Sequence, residues 1–253
     1  MISEVIKACS KFDDVDCIVA PYEADAQLAY FTSRNLAQLV ITEDSDLILF
    51  GCPKIMFKLD GTGSGYLYER HRLLLSLNVS QEHIDRKKSD YAEKSSRNSQ
   101  QSSNSSECSY NDTDDFEAAE FRKFRRSCIL SGCDYFEGLD GVGLIKATKF
   151  FNKASRTDLT KILPLVGLYL RMPTPKVDKN FIENFIDAEN TFLYQPIYDV
   201  VKKKRLPLNE LAQNESLPDC YKLDVLMDEN ASKDFASGNL HPHSKQKQNN
   251  FVH

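Results

Sequence analysis

Residues 15–46 read VDCIVAPYEADAQLAYFTSRNLAQLVITEDSD, and this stretch decides the fold. Val15 to Ala20 is a short β-rich run that predicts a buried strand. Pro21 suits the first turn of a helix, where its missing N–H costs nothing. Ala24, Leu28 and Phe31 then recur at helical spacing, so residues 22–33 are predicted helical. Gln38 to Thr42 is a second β-rich run, and four residues rich in acid, Glu43-Asp44-Ser45-Asp46, follow it directly.

Working outward, Lys54 to Leu59 reads as a third strand and residues 69–77 as a helix. Strands alternating with helices predict an α/β fold whose mainly parallel sheet is covered on both faces. From Arg86 to Asp115 the composition changes: nine serines lie between Ser89 and Ser109, with almost nothing apolar. Such a segment buries too little surface to offset its ordering entropy, so it is predicted to be a disordered insertion. An amphipathic helix is predicted over 116–131, ending near Gly132, and further helices over 144–153, 157–171, 178–190 and 191–201. Beyond Pro207 the pattern weakens, and the polar tail from Lys245 is predicted to fray.

The 253 residues, 41% hydrophobic and 27% charged, suit one large α/β domain or two small ones. No apolar run reaches the ~18 residues of a bilayer-spanning helix. Seven cysteines are scattered without C-x-x-C spacing, which argues against a disulfide framework or zinc site and for a reducing compartment. The five histidines show no metal-ligand spacing, and neither a P-loop nor a G-x-S-x-G motif is present. The net charge of −5 is unevenly spread: residues 1–70 carry eleven acids and six bases, residues 141–205 twelve bases and six acids. An acidic half and a basic half suit a metal-using enzyme on a polyanion, but also two ordinary solvated faces.

Three features carry candidate chemistry. Glu23 and Asp25 sit in the first turn of the helix after the first strand, and Asp44 and Asp46 follow the second strand. In an open parallel sheet the crevice outside the carboxyl strand ends is where ligands bind. Four carboxylates gathered there repel one another unless cations neutralise them, and Mg²⁺ is the hard, oxygen-seeking choice. The competing reading is simple complementarity of acids to a helix N-terminus. The x-Asp-x-Asp spacing places Asp44 and Asp46 on one side if the segment is extended. The third feature runs from Ser131-Gly132-Cys133-Asp134-Tyr135 through Gly138 to Gly141-Val142-Gly143, which opens a helix bearing Lys146, Lys149 and Lys153. Glycines there let main-chain N–H groups approach a phosphate, although tight helix–helix turns use the same pattern. The run Lys202-Lys203-Lys204-Arg205 reads as a solvated helix end, with DNA contact or nuclear import as alternatives.

Taken together, these segments resemble the flap endonuclease/XPG family of structure-specific 5′ nucleases. Val19 to Leu28, Ile41 to Leu47, and Ile129 to Ala147 carry the resemblance, with weaker echoes at Asn190 to Gln195 and Ala236 to Asn239. The resemblance implies a PIN-like parallel sheet flanked by helices, followed by a helical region with a helix–two-turn–helix DNA-binding element. It implies a partial nuclease core over 1–85, the insertion over 86–115, the helical region over 116–206 and a partly disordered extension over 207–253. It further implies that Glu23, Asp25, Asp44, Asp46 and Asp134 bind two Mg²⁺ ions, the first two acids nearer one ion and the other three nearer the second.

By the same resemblance, oxygens of Ser131, Gly138 and Val142 hold a monovalent cation, K⁺ or Na⁺, and Gly141, Gly143, Lys146 and Lys149 touch DNA. The implied activity is Mg²⁺-dependent 5′→3′ exonuclease and 5′-flap endonuclease cleavage in nuclear DNA repair, mismatch repair included, and recombination. The implied substrate is duplex DNA with 5′ ends, nicks or flaps, cut by a monomer. The family's first strand, two further metal-binding aspartates and phosphate-steering basic residues precede the part matched here, so the chain is expected to be N-terminally incomplete. A catalytically incompetent DNA-binding remnant is therefore the alternative expectation.

Overall fold

The computed structural model describes residues 2–73, 112–154, 156–172, 177–211, 217–218, 221, 228–240 and 247. The chain divides into two compact units, Met1–Tyr68 with Asn190–His253, and Glu69–Glu189.

In the first unit, α1 (Ile2–Cys9) buries Ile6 and is followed by an extended segment. Residues 15–20, predicted as a strand, join no sheet: Val19 N–H instead donates to Ala236 O at 2.8 Å. Val15 and Ile18 remain 42% and 39% exposed, so the apolar run never found a ladder partner. Helix α2 (Ala24–Ser33) starts two residues later than predicted, with Glu23 at its N-cap. It buries Ala26, Gln27, Ala29, Tyr30 and Thr32, and Asn35 at φ 57° turns the chain out of it. Strands β1 (Val40–Ile41) and β2 (Lys54–Phe57) pair in parallel, Val40 opposite Ile55, and β3 (Tyr66–Glu69) completes the order β1-β2-β3. The predicted covering of both sheet faces is not met, since Ile41 and Tyr66 are 60% and 71% exposed.

The second unit is helical. Helix α3 (Asp112–Ser131) begins inside the last residues of the predicted insertion, whose remainder, 86–111, lies outside the described residues. Helix α4 (Leu144–Lys153) has the predicted bounds, because Ala147, Phe150 and Phe151 form one buried stripe packed on α3. The predicted helix 157–171 is broken into α5 (Leu159–Ile162), a 3₁₀ turn at Leu163–Leu165 and α6 (Val166–Leu170). Asp158 caps α5 through Thr160 N–H at 3.0 Å, and Pro164 tightens the 3₁₀ turn. Phe136 stacks edge-on against Phe181 and Phe185 at 4.9 and 5.5 Å between ring centroids.

Helix α7 (Lys179–Tyr194) runs unbroken where two helices were predicted. It ends at Gln195-Pro196, since proline cannot donate to the helix ladder. Residues 196–201, predicted helical, instead open a hairpin: β4 (Pro196–Asp199) pairs antiparallel with β5 (Lys204–Pro207) in the first unit. Both faces of β4 are buried, and Ile197 and Tyr198, on opposite faces, are the β-branched and aromatic types that pack on a pleated surface. Phe192 is fully buried against Phe50, with ring centroids 5.0 Å apart. Helix α8 (Glu229–Ala236) packs on β5, and Asp228 caps it through Ala231 N–H at 2.9 Å. The five described cysteines are free thiols. No helix among the described residues is long and apolar enough to cross a membrane.

Candidate functional site

The acids of the first unit occupy two elements that pack together, α2 and the 3₁₀ turn at Asp46–Ile48. Glu23 stands exposed at the N-cap in extended conformation without a side-chain capping bond, and Asp25 is half-buried in the first turn. Helical capping is thus not what Glu23 supplies.

Asp44 and Asp46 are not on an extended segment, contrary to the prediction. Thr42 N–H still donates to Met56 O at 3.2 Å, extending the β1–β2 ladder by one residue. Asp44 N–H then donates to Thr42 Oγ1 at 3.0 Å, and Asp44 Oδ1 accepts from Asp46 N–H at 2.9 Å. Short acidic side chains bond their own downstream backbone in this way, which curls the segment into a turn. Leu47, fully buried, anchors that turn from below. The pair still meets at the carboxyl end of β1, with Asp44 exposed and Asp46 half-buried. Glu43 is drawn aside, its Oε1 accepting from Lys58 N–H at 2.9 Å.

Asp134 belongs to the second unit and is exposed in the connection between α3 and α4. That connection consists of two tight turns. Cys133 and Phe136 exchange main-chain hydrogen bonds at 2.8 and 3.1 Å, and Val142 N–H donates to Leu139 O at 2.9 Å. Gly138, at φ 84°, brings the turn against the end of α3: a Cβ there would lie 2.7 Å from Gly132 N and 2.8 Å from the Ser131 carbonyl carbon. Ser131 and Gly138 are therefore adjacent, while Val142 is buried one turn further on. Gly143 is the N-cap of α4, exposed, with open space where a Cβ would stand. Lys146 folds back so that its Nζ donates to Gly141 O at 2.7 Å, and Lys149 is exposed.

The structure thus places Glu23 and Asp25 at the head of α2, Asp44 and Asp46 at the end of β1, and Asp134 by itself in the second unit. Among the described residues no three His, Cys, Asp or Glu side chains form a group that could hold a metal ion. Sequence reasoning missed Gln27, which is 3% exposed and ties α2 to β4, although a polar residue on the face of Ala26 and Tyr30 was its signal. It also missed the buried ion pair of Arg126 with Glu189, at 2.7 Å, which no local pattern marks.

Residues 14–134 match the XPG I-region family model. Exonuclease 1 of Drosophila melanogaster is 37% identical over 249 residues, 98% of this chain and 29% of the relative. Exonuclease 1 of Danio rerio is 40% identical over 212 residues, 83% of this chain and 21% of the relative. The catalytic core of Rad2 in complex with DNA substrate superposes at a TM-score of 0.47 and 18% identity, covering 93% of this chain and 68% of that one. The chain thus carries an XPG I-region and is homologous to exonuclease 1 along most of its own length, while it spans less than a third of these curated relatives.

Proposed function

We propose that this chain is the nuclease part of an exonuclease 1-type enzyme, a Mg²⁺-dependent 5′→3′ exonuclease and 5′-flap endonuclease on duplex DNA. The observation that carries the reading is the Asp44–Asp46 pair, hydrogen-bonded at the carboxyl end of β1 inside the stretch that matches the XPG I-region. The donor set fits the ion by chemistry: Glu23, Asp25, Asp44, Asp46 and Asp134 offer only hard carboxylate oxygens. Pairs suffice for the fit, since Mg²⁺ is commonly held by one or two carboxylates with waters and substrate phosphates filling the rest. When bound, two such ions supply an activated water and charge stabilisation at the leaving oxygen.

The chain's own residues divide the remaining work. Asp44 holds the turn that presents Asp46, and α2 presents Glu23 and Asp25. Exposed Lys149, and Lys146 once released from Gly141 O, neutralise backbone phosphates beside the main-chain N–H groups opening α4. Main-chain or hydroxyl oxygens of Ser131 and Gly138, residues whose backbones lie against each other, would hold K⁺ or Na⁺ together with Val142. The two tight turns between α3 and α4 support a helix–two-turn–helix role, with Gly141 and Gly143 admitting the DNA backbone. The working form is a monomer acting on 5′ ends, nicks or flaps in nuclear repair, mismatch repair included, and recombination.

A 5′-recessed labelled duplex with Mg²⁺ tests this reading. Asp44→Ala with Asp46→Ala is expected to abolish cleavage, and unchanged cleavage would overturn the metal assignment. A second reading, a DNA-binding chain without catalysis, is favoured by the absence of any three-ligand group among the described residues. Salt-dependent duplex binding with no Mg²⁺-stimulated cleavage by the unaltered chain would select it.

A further inference from the structure

Cys9 ends α1, and Cys17 lies in the extended segment that leads toward Glu23. A turn joins the two elements: Ser10 N–H donates to Ile6 O at 2.9 Å and Phe12 N–H to Cys9 O at 3.0 Å. Both elements rest on the backbone that ends α8. Val19 N–H donates to Ala236 O at 2.8 Å, and a Cβ on Gly238 would lie 2.5 Å from Ile6 Cδ1 and 3.5 Å from Val19 Cγ2. Cys9 shares the helix face of Ile6, three residues on, and Cys17 shares the side of Val19, two residues back in an extended chain. The faces that carry the two thiols therefore meet, and the Cys9 and Cys17 side chains are hydrogen-bonded to each other.

Both thiols are free and half-buried, within reach of a small reagent. Cys52, by contrast, is buried and hydrogen-bonded with Thr32 Oγ1 at 3.2 Å. Two touching thiols suit either a metal or a disulfide. A structural zinc site takes four ligands, and no three His, Cys, Asp or Glu side chains among the described residues form a group that could hold an ion. Burial first, then the hydrogen bond and charge of Cys9 and the Asp16 carboxylate, push the Cys17 thiol up from its ordinary value. A thiol so held is a poor first nucleophile but suits a second attack on a sulfur already beside it.

We propose that Cys9 and Cys17 are a reversible redox pair, closed to an intramolecular disulfide by a small disulfide oxidant of the glutathione class. The Cys9 thiolate attacks one sulfur of the oxidant, breaking its S–S bond and releasing one glutathione thiolate. The Cys17 thiolate then attacks the Cys9 sulfur, forming the protein S–S bond and releasing the second glutathione. Two protein thiols are oxidised, one glutathione disulfide is reduced to two thiols, and the two protein protons pass to them. The new bond ties α1 to the segment that enters α2, at whose head stand Glu23 and Asp25. Such a bond forms transiently in a reducing compartment, and it does not depend on the nuclease reading.

The test holds the native full chain at a series of glutathione to glutathione disulfide ratios, blocks the remaining thiols and maps peptides by mass spectrometry. A linked Cys9–Cys17 peptide, lighter than the free pair by two hydrogens, should appear with oxidation and vanish when the ratio is reversed. Cys17→Ser should instead carry a glutathione adduct on Cys9 at roughly tenfold or more the parent's level, because the neighbouring thiol that expels glutathione is gone. No linked peptide at any ratio, or one that forms only after unfolding in urea, would overturn the proposal. Equal Cys9 adducts in the parent and in Cys17→Ser would overturn it as well, as would a bond from Cys17 to another cysteine in place of Cys9.

Discussion

Gln27 holds both main-chain groups of Tyr198. Its Nε2 donates to Tyr198 O at 2.9 Å and its Oε1 accepts from Tyr198 N–H at 2.7 Å, across 171 residues of sequence. The amide thus stands where a neighbouring strand would, satisfying the outward edge of β4. It does so from the helix whose head carries Glu23 and Asp25.

Replacing Gln27 by leucine keeps the volume but strands a buried donor and a buried acceptor. Each such orphan costs about 1–3 kcal/mol, so Gln27→Leu should lower unfolding free energy by roughly 2–6 kcal/mol. Gln27→Glu keeps the acceptor but buries a carboxylate against the Tyr198 carbonyl oxygen, so near neutral pH it should cost at least as much as leucine. Urea unfolding measures both, and a leucine variant within about 0.5 kcal/mol of the parent would show that the clamp is idle.

One turn further along α2, burial first and then the Asp199 carboxylate push the Tyr30 hydroxyl up to about 12. The folded state therefore favours neutral Tyr30 more than the unfolded chain does. Its contribution is complete below about pH 10, the unfolded value, and drains away as pH rises toward 12. Unfolding free energies measured across that range should fall, and Tyr30→Phe should make the fall shallower. Burial raises Tyr198 too, so some slope will survive in the phenylalanine variant. An identical slope in parent and variant would remove Tyr30 from the account.

How much of this was legible in the chain depends on how far each feature reaches. Helix α4 was readable because Ala147, Phe150 and Phe151 share one face and Gly143 marks its start, all within a dozen residues. The order of acids was readable for the same reason, although the Asx turn of Asp44 replaced the extended segment expected there. The break expected between Asn190 and Thr191 had no chemical basis; the real one, Gln195-Pro196, did. The hairpin was hidden because Lys202 to Arg205 looks uniformly polar. That Arg205 is buried depends on Phe235, thirty residues later. No window around Gln27 contains Tyr198.

The ion pair of the second unit yields an asymmetric expectation. Arg126 meets Glu189 through two bonds, 2.7 and 3.1 Å, and spends a third donor on Thr157 O at 2.8 Å. Neighbouring Arg125, 7% exposed over the Phe121 ring, also draws on the Glu189 charge, which opposes the effect of burial on its guanidinium. Removing one partner of a buried pair costs about 3–5 kcal/mol because the other charge stays behind. Glu189→Gln strands two guanidiniums and Arg126→Gln strands one carboxylate, so the first should destabilise more. Chemical denaturation of both variants decides it; the reverse order would mean Arg125 gains nothing from Glu189.

Gly138 and Gly143 lie in one connection but answer to different constraints. At Gly138 the left-handed φ of 84° and the 2.7 Å that would separate an added Cβ from Gly132 N both forbid a side chain, and the clashing atoms are backbone that cannot swing away. Gly138→Ala should therefore cost at least ~1–3 kcal/mol, before counting the clash. At Gly143 the backbone is ordinary, φ −87°, and the space is open, so alanine should cost under about 1 kcal/mol as a poorer N-cap. If DNA phosphate sits against the opening of α4, that same methyl group intrudes on the ligand. Gly143→Ala should then weaken duplex binding several-fold while its thermal midpoint stays near the parent's, whereas Gly138→Ala should lose stability first. Equal stability losses at the two positions would mean that the close approach at Gly138 does not shape the turn. Undiminished duplex affinity in Gly143→Ala would mean that the backbone of the substrate passes elsewhere.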